Sequence, residues 1–106
     1  MLRLERSAPL FAALGDQTRL RVVIRLCDGG PASIAGLTAG AGVTRQAVSK
    51  HLRVLEDAGM VRCSRRGRET VWELRPERLE EARRCLDRIS AQWDEALASL
   101  KKFVES

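Results

Sequence analysis

The feature that most constrains this chain is an apolar seam toward its C-terminus. Leu79, Ala82, Leu86, Ile89, Trp93, Ala96, Leu100 and Phe103 step by alternating threes and fours, the spacing that keeps side chains on one side of an α-helix. Pro76 suits the first turn of such a helix, where its missing N–H would have no partner anyway. A helix is therefore expected over 76–104. In a chain of 106 residues a seam this long exceeds what one small core can cover. The reading favoured over an intrachain core helix is a pairing helix that docks on the N-terminal helix and on its own counterpart in a second copy. Leu10, Leu86, Ile89, Trp93, Leu100 and Phe103 are the expected interface residues.

Composition bounds the rest. A mass of 11.8 kDa fits one domain, 1–106, and hydrophobic residues at 44% against 31% charged place the chain among globular proteins. No apolar stretch approaches the roughly 20 residues that span a bilayer, and the opening Met-Leu-Arg-Leu-Glu-Arg is unlike a secretory signal. The expected location is cytoplasmic, with no membrane partner. Cys27, Cys63 and Cys85 are odd in number and far apart, so they read as reduced thiols rather than a disulfide framework. His51 is the lone histidine, which excludes zinc sites built from several histidines. No nucleophile–base pair, carboxylate cluster or phosphate-cradling glycine loop can be assembled, so neither an enzyme nor a cofactor is expected.

Helix punctuation organises the first sixty residues. Leu10, Phe11 and Leu14 share one side of a short helix that Gly15 can close, and Asp16 caps a second helix. In that second helix Leu20, Val23, Ile24 and Cys27 fall at i, i+3, i+4 and i+7 and are expected to face the core. Gly29-Gly30-Pro31 ends it. Ser33 caps a third helix through Ile34, Leu37 and Ala41, weakened by Gly36, Gly40 and Gly42, so packing must hold it. After the Gly42-Val43 turn, Thr44 caps a fourth helix, Arg45 to Ala58, that Gly59 ends. Two helices joined by a tight glycine turn over 33–59 make a helix-turn-helix pattern. Two short strands, Met60 to Ser64 and Glu69 to Leu74, then form a hairpin within 60–75, with Arg65-Arg66-Gly67-Arg68 as its basic turn.

Charge is concentrated rather than spread. The net charge is +5, which makes an anionic partner the first candidate. Residues 44–75 hold eight basic and four acidic side chains, a net of +4, and the other seventy-four residues are nearly balanced. At about 100° per residue, Arg45, Gln46, Ser49, Lys50 and Arg53 fall within roughly 140° of one another, while Val48, Leu52 and Leu55 occupy a separate arc. One face packs, and the other carries side chains that match base edges and phosphate oxygens in a major groove. His51 lies on the flank, either as a packing histidine or as a phosphate contact. The expected DNA-binding set is Thr44, Arg45, Gln46, Ser49, Lys50, His51, Arg53, Arg65, Arg66 and Arg68. Within it the helix reads bases, and the hairpin arginines touch the backbone or minor groove. RNA is a poorer match, since the four aromatics all occupy core or seam positions.

These residues resemble a known family. Leu14-Gly-Asp-Gln-Thr-Arg-Leu-Arg-Val-Val-Ile-Arg-Leu26, then Val43-Thr-Arg-Gln-Ala-Val-Ser-Lys-His-Leu-Arg-Val-Leu-Glu-Asp-Ala-Gly-Met-Val61, then the Arg65-Arg-Gly-Arg68 hairpin, are similar to the ArsR/SmtB winged helix-turn-helix repressors over about Phe11 to Arg75. The resemblance implies a mainly α fold with a small β-hairpin wing and a long C-terminal dimerisation helix. It also implies a homodimer on a short imperfect palindrome of double-stranded DNA, with recognition helices in successive major grooves.

The chain departs from the family's metal sensors. Where one family site has a Cys-x-Cys pair, the matching positions are Ser33 and Ala35. Another site draws on histidine in the last helix, which here has none. No metal site is expected, and the three cysteines are read as small buried hydrophobes. The tail from Leu86 to Leu100, with Phe103-Val-Glu after it, resembles a subgroup without metal ligands, often encoded beside START-like ligand-binding proteins. The expected function is a dimeric DNA-binding repressor that is not a direct metal sensor, its effector unknown. The alternatives are a metal- or redox-responsive repressor using Cys27, Cys63 or Cys85, and a basic protein-interaction module.

Overall fold

The computed structural model of the protein describes residues 4–105. Five helices and one hairpin follow in chain order: α1 (Leu4–Leu14), α2 (Gln17–Gly29), α3 (Ile34–Thr38), α4 (Arg45–Asp57), β1 (Val61–Arg66), β2 (Glu69–Leu74) and α5 (Pro76–Glu105). Three caps act where the sequence puts them. The side chains of Asp16, Ser33 and Thr44 accept hydrogen bonds from the backbone N–H groups of Arg19, Gly36 and Ala47, pairing donors that a helix start leaves free. Gly59, at φ 76°, turns the chain out of α4 in a conformation that L side chains rarely adopt. A Cβ there would also press on the Arg78 side chain at 3.1 Å.

The core lies between α4 and the first two helices. Val48, Leu52 and Leu55 of α4 are fully buried, with Leu10 of α1, Val22, Val23 and Leu26 of α2, Leu37 of α3 and Met60 around them. Ala82 is the one residue of α5 that reaches this core in full. β1 and β2 pair antiparallel from Val61↔Leu74 to Arg66↔Glu69. Trp72 extends the ladder by exchanging backbone hydrogen bonds with Ala32, at 2.9 and 2.7 Å. The result is a winged helix-turn-helix: mainly α, with one hairpin beside α3 and α4.

Four expectations are corrected. First, the α2 stripe is turned: of Leu20, Val23, Ile24 and Cys27, Val23 alone is buried, while Leu20 and Ile24 are 43% and 50% exposed and Cys27 is exposed. The face that packs is Val22, Val23 and Leu26. α2 carries two adjacent apolar arcs, and periodicity alone does not say which one its own chain uses. Second, Leu10 is completely buried in its own protomer's core and offers no surface to a second copy. Third, the cysteines are not buried: Cys27 and Cys63 are exposed and Cys85 is half-buried. Fourth, the strands extend further, so Arg65 and Arg66 belong to β1 and the loop is Gly67-Arg68 alone. Gly67 at φ 65°, followed by a residue at negative φ, is the pattern of a two-residue type II′ hairpin loop, whose twist matches that of the strands.

Candidate nucleic-acid interface

The site is assembled on α4 and the wing. Val48, Leu52 and Leu55 pin one side of α4 to the core, so the opposite side must face solvent. Arg45, Gln46, Ser49, Lys50 and Arg53 are all exposed there, with Thr44 at the head of the helix. On the wing Arg65, Arg66 and Arg68 are exposed as well. Among the described residues, Arg45, Lys50, Arg53, Arg65 and Arg68 have no acidic partner. Elsewhere cations are paired: Arg6 and Arg78 with Glu81, Arg75 with Glu77, Arg83 with Glu80 and Asp87, and Lys101 with Glu105. Arg66 is intermediate, 3.8 Å from a Glu73 carboxylate that Arg62 already holds at 2.9 Å.

His51 stands apart from the rest. Its side chain is largely sheltered, with Nδ1 3.4 Å from Arg19 Nη1 and 3.8 Å from Asp16 Oδ2. Arg19 in turn donates from Nε to the Ala13 carbonyl at 2.6 Å. This cluster ties the α1–α2 junction to the middle of α4. The Arg19 backbone N–H holds the Asp16 carboxyl below its ordinary value of 3.8, with help from the nearby His51 and Arg19 charges against slight desolvation.

The first helix of the pair is held by a side chain that the sequence did not single out. Arg25 donates to the carbonyls of Gly36, Leu37 and Ala39 at 2.7, 3.0 and 3.1 Å. These carbonyls belong to the last turn of α3, where no helical N–H remains to pair with them. Arg25 thereby fastens a short, glycine-weakened helix to α2. Nothing in the spacing announces it, because the partners lie eleven to fourteen residues away. Ser33, which stands where metal-sensing relatives have a cysteine, is occupied as the α3 cap, accepting from Gly36 N–H at 3.1 Å. Among the described residues no three His, Cys, Asp or Glu side chains come together to hold a metal ion.

Comparison with known proteins agrees with this geometry. A helix-turn-helix domain family matches residues 14–64. An ArsR-like transcriptional regulator from Rhodococcus sp. RHA1 superposes with a TM-score of 0.76 at 35% identity, covering 93% of this chain and 92% of that one. The HTH-type transcriptional regulator Rv2034 of Mycobacterium tuberculosis is 38% identical over 97 residues, 91% of this chain and 86% of the relative. The chain belongs to the ArsR family of transcriptional regulators. The arsenical resistance operon repressor of Bacillus subtilis is a further relative, 32% identical over 79% of this chain and 84% of its own length. As an ArsR-family member the chain is a DNA-binding transcriptional regulator and not an enzyme. No helix among the described residues is long and apolar enough to cross a membrane.

Proposed function

We propose that this regulator is a repressor that acts as a homodimer on a short palindromic operator and does not sense a metal directly. The observation that carries the reading is the set of five exposed cations without acidic partners on α4 and the wing, beside the hydrogen-bonding side chains of Gln46 and Ser49. Uncompensated cations on an exposed helix face lower the free energy of a polyanion laid against them, because each phosphate neutralised releases counterions. Gln46 and Ser49 add donors and acceptors that distinguish bases. Arg45, Gln46, Ser49 and Lys50 are the base readers, and Thr44, Arg53, Arg65, Arg66 and Arg68 hold phosphates. His51 sits behind this face and supports α4 from the side of α2.

The two-fold reading rests on α5. Leu86, Ile89, Trp93, Leu100 and Phe103 are all exposed, Trp93 at 65% and Phe103 at 79%. Pairing through them sets the two α4 helices at a fixed separation, which on DNA must be one helical turn, about 34–36 Å. Repression is the outcome when such a dimer occupies promoter DNA.

The direct test maps binding of the purified protein along its own upstream DNA, with and without Zn²⁺ and with and without oxidant. A protected, two-fold-related site indifferent to Zn²⁺ is the expected result. Release by Zn²⁺ overturns the metal-independent reading. Oxidant-dependent release favours a second reading, a redox-responsive repressor, which the exposed thiols of Cys27 and Cys63 make chemically feasible.

A further inference from the structure

Two apolar surfaces are left uncovered, and they are on different helices. On α2, Leu20, Ile24 and the exposed Cys27 form a strip at i, i+4 and i+7. On α5 the apolar face changes character along its length. Taking Leu79, Leu86, Trp93 and Leu100 as one row and Ala82, Ile89, Ala96 and Phe103 as the next, the row that follows is Arg83 and Ser90 at first, then Leu97 and Val104. Leu97 and Val104 are 57% and 72% exposed. A helix that pairs with one other helix needs two apolar rows per heptad; a third row buries itself only against a second element.

That second element does not come from the same protomer. From Glu77 to Glu105 α5 contains neither proline nor glycine, so no kink folds it back. Its last fully buried residue is Ala82, and at 1.5 Å per residue the helix continues about 30 Å past it. Two-fold symmetry then leaves two arrangements. Parallel α5 helices cover two rows of each other and leave Leu97, Val104 and both α2 strips in water. Antiparallel α5 helices carry each free end across the axis to the partner's body. Outside α5, the large hydrophobics exposed on that body among the described residues are Leu20, Ile24 and Val54, and the first two align with Cys27 into a strip.

We propose that the free end of α5, through Leu97 and Val104, docks on the Leu20, Ile24 and Cys27 strip of α2 in the second protomer. This rests on the homodimer reading and deepens it. The dimer becomes a contact between α5 and the helix whose Arg25 holds α3, so the partner's tail touches the element that supports the DNA-reading pair.

The test is sedimentation equilibrium of Ile24→Asp and Val54→Asp beside the wild type. Circular dichroism checks that each chain folds, as expected for positions at least 40% exposed. A companion measurement follows the rate of thiol labelling at Cys27 in a Cys63→Ser, Cys85→Ser background, with and without Leu100→Asp to separate the protomers. The expected result is a wild-type dimer and a dissociation constant raised at least about tenfold by Ile24→Asp. Val54→Asp should stay near wild type, and Cys27 should label about tenfold faster once the protomers separate. A wild-type dimer that Ile24→Asp leaves intact, or that Val54→Asp disrupts instead, or unchanged Cys27 labelling, overturns the docking while the dimer stands. A wild type that sediments as a monomer at micromolar concentration overturns the dimer reading together with it.

Discussion

α4 and α5 are both amphipathic, yet they solve opposite problems. α4 buries its apolar side within its own chain, with Val48, Leu52 and Leu55 at 0% exposure, and turns unpaired cations outward. α5 neutralises many of its own charges, Arg83 with Glu80 and Asp87 and Lys101 with Glu105, and leaves its apolar side in water. An exposed face of unpaired cations is satisfied by a polyanion; an exposed apolar face is satisfied by protein. The difference teaches that amphipathicity alone does not assign a helix its partner. Which face the chain buries for itself does.

The widest test of that contrast is one substitution made twice. Leu52→Ala on α4 removes a fully buried side chain and should cost about 2–5 kcal/mol of unfolding free energy, since a cavity remains in the core. Leu97→Ala on α5, measured where the chain is monomeric, should cost less than about 0.5 kcal/mol, while weakening self-association several-fold. Urea denaturation and sedimentation equilibrium read the two quantities separately. Equal losses of stability would break the comparison, because α5 would then be part of the protomer's core.

Arg25→Ala should follow. Removing a charged donor from three carbonyls of α3 costs about 1–3 kcal/mol, and the loss should be local. Hydrogen exchange would show faster opening in α3 with α5 unchanged, and operator affinity would fall although Arg25 faces away from the reading surface. If α3 exchanges at its wild-type rate, the clamp is not what orders it.

Much of the molecule is legible in the sequence, and the gaps have physical causes. The caps at Asp16, Ser33 and Thr44, the basic face of α4 and the length of α5 all follow from local chemistry: a side chain's reach to its own backbone, or a fixed angle per residue. What the sequence hides depends on long-range packing. The orientation of α2 escapes a periodicity argument because Leu20, Ile24 and Cys27 are as apolar as Val22, Val23 and Leu26. Leu10 belongs to the core although its helix lies beside α5. The place of His51 beside Asp16, and the span of Arg25 to α3, join residues whose separation in sequence carries no signal.

The DNA-facing surface itself divides into readers and holders. Gln46→Ala should relax preference at particular base pairs by about 1–3 kcal/mol and leave affinity for other sequences nearly unchanged. Arg68→Ala should weaken all sequences alike and flatten the salt dependence by about one unit of slope, because one fewer phosphate is neutralised. Arg66→Ala should do less, since Glu73 already engages that guanidinium. Binding isotherms across a salt series, on operator and on scrambled DNA, separate the three. Identical profiles for Gln46→Ala and Arg68→Ala would erase the distinction between reading and holding.

The smallest expected effect lies where α4 meets α2. Asp16 is ionised more readily in the folded chain than in the unfolded one, chiefly because its carboxylate accepts the Arg19 backbone N–H at the start of α2. Its contribution is therefore fully present above the ordinary carboxyl value of 3.8 and is lost as pH falls through the lower folded value. Asp16→Asn keeps a capping oxygen but removes the charge. Acid titration followed by circular dichroism should show the wild type losing stability below that value, and Asp16→Asn losing less over the same interval. At neutral pH the variant should be slightly weaker, because an uncharged side chain no longer attracts Arg19. Equal acid sensitivity in both proteins would mean that the cap acts by hydrogen bonding alone, and that the tie between α2 and the reading helix carries no charge-dependent part.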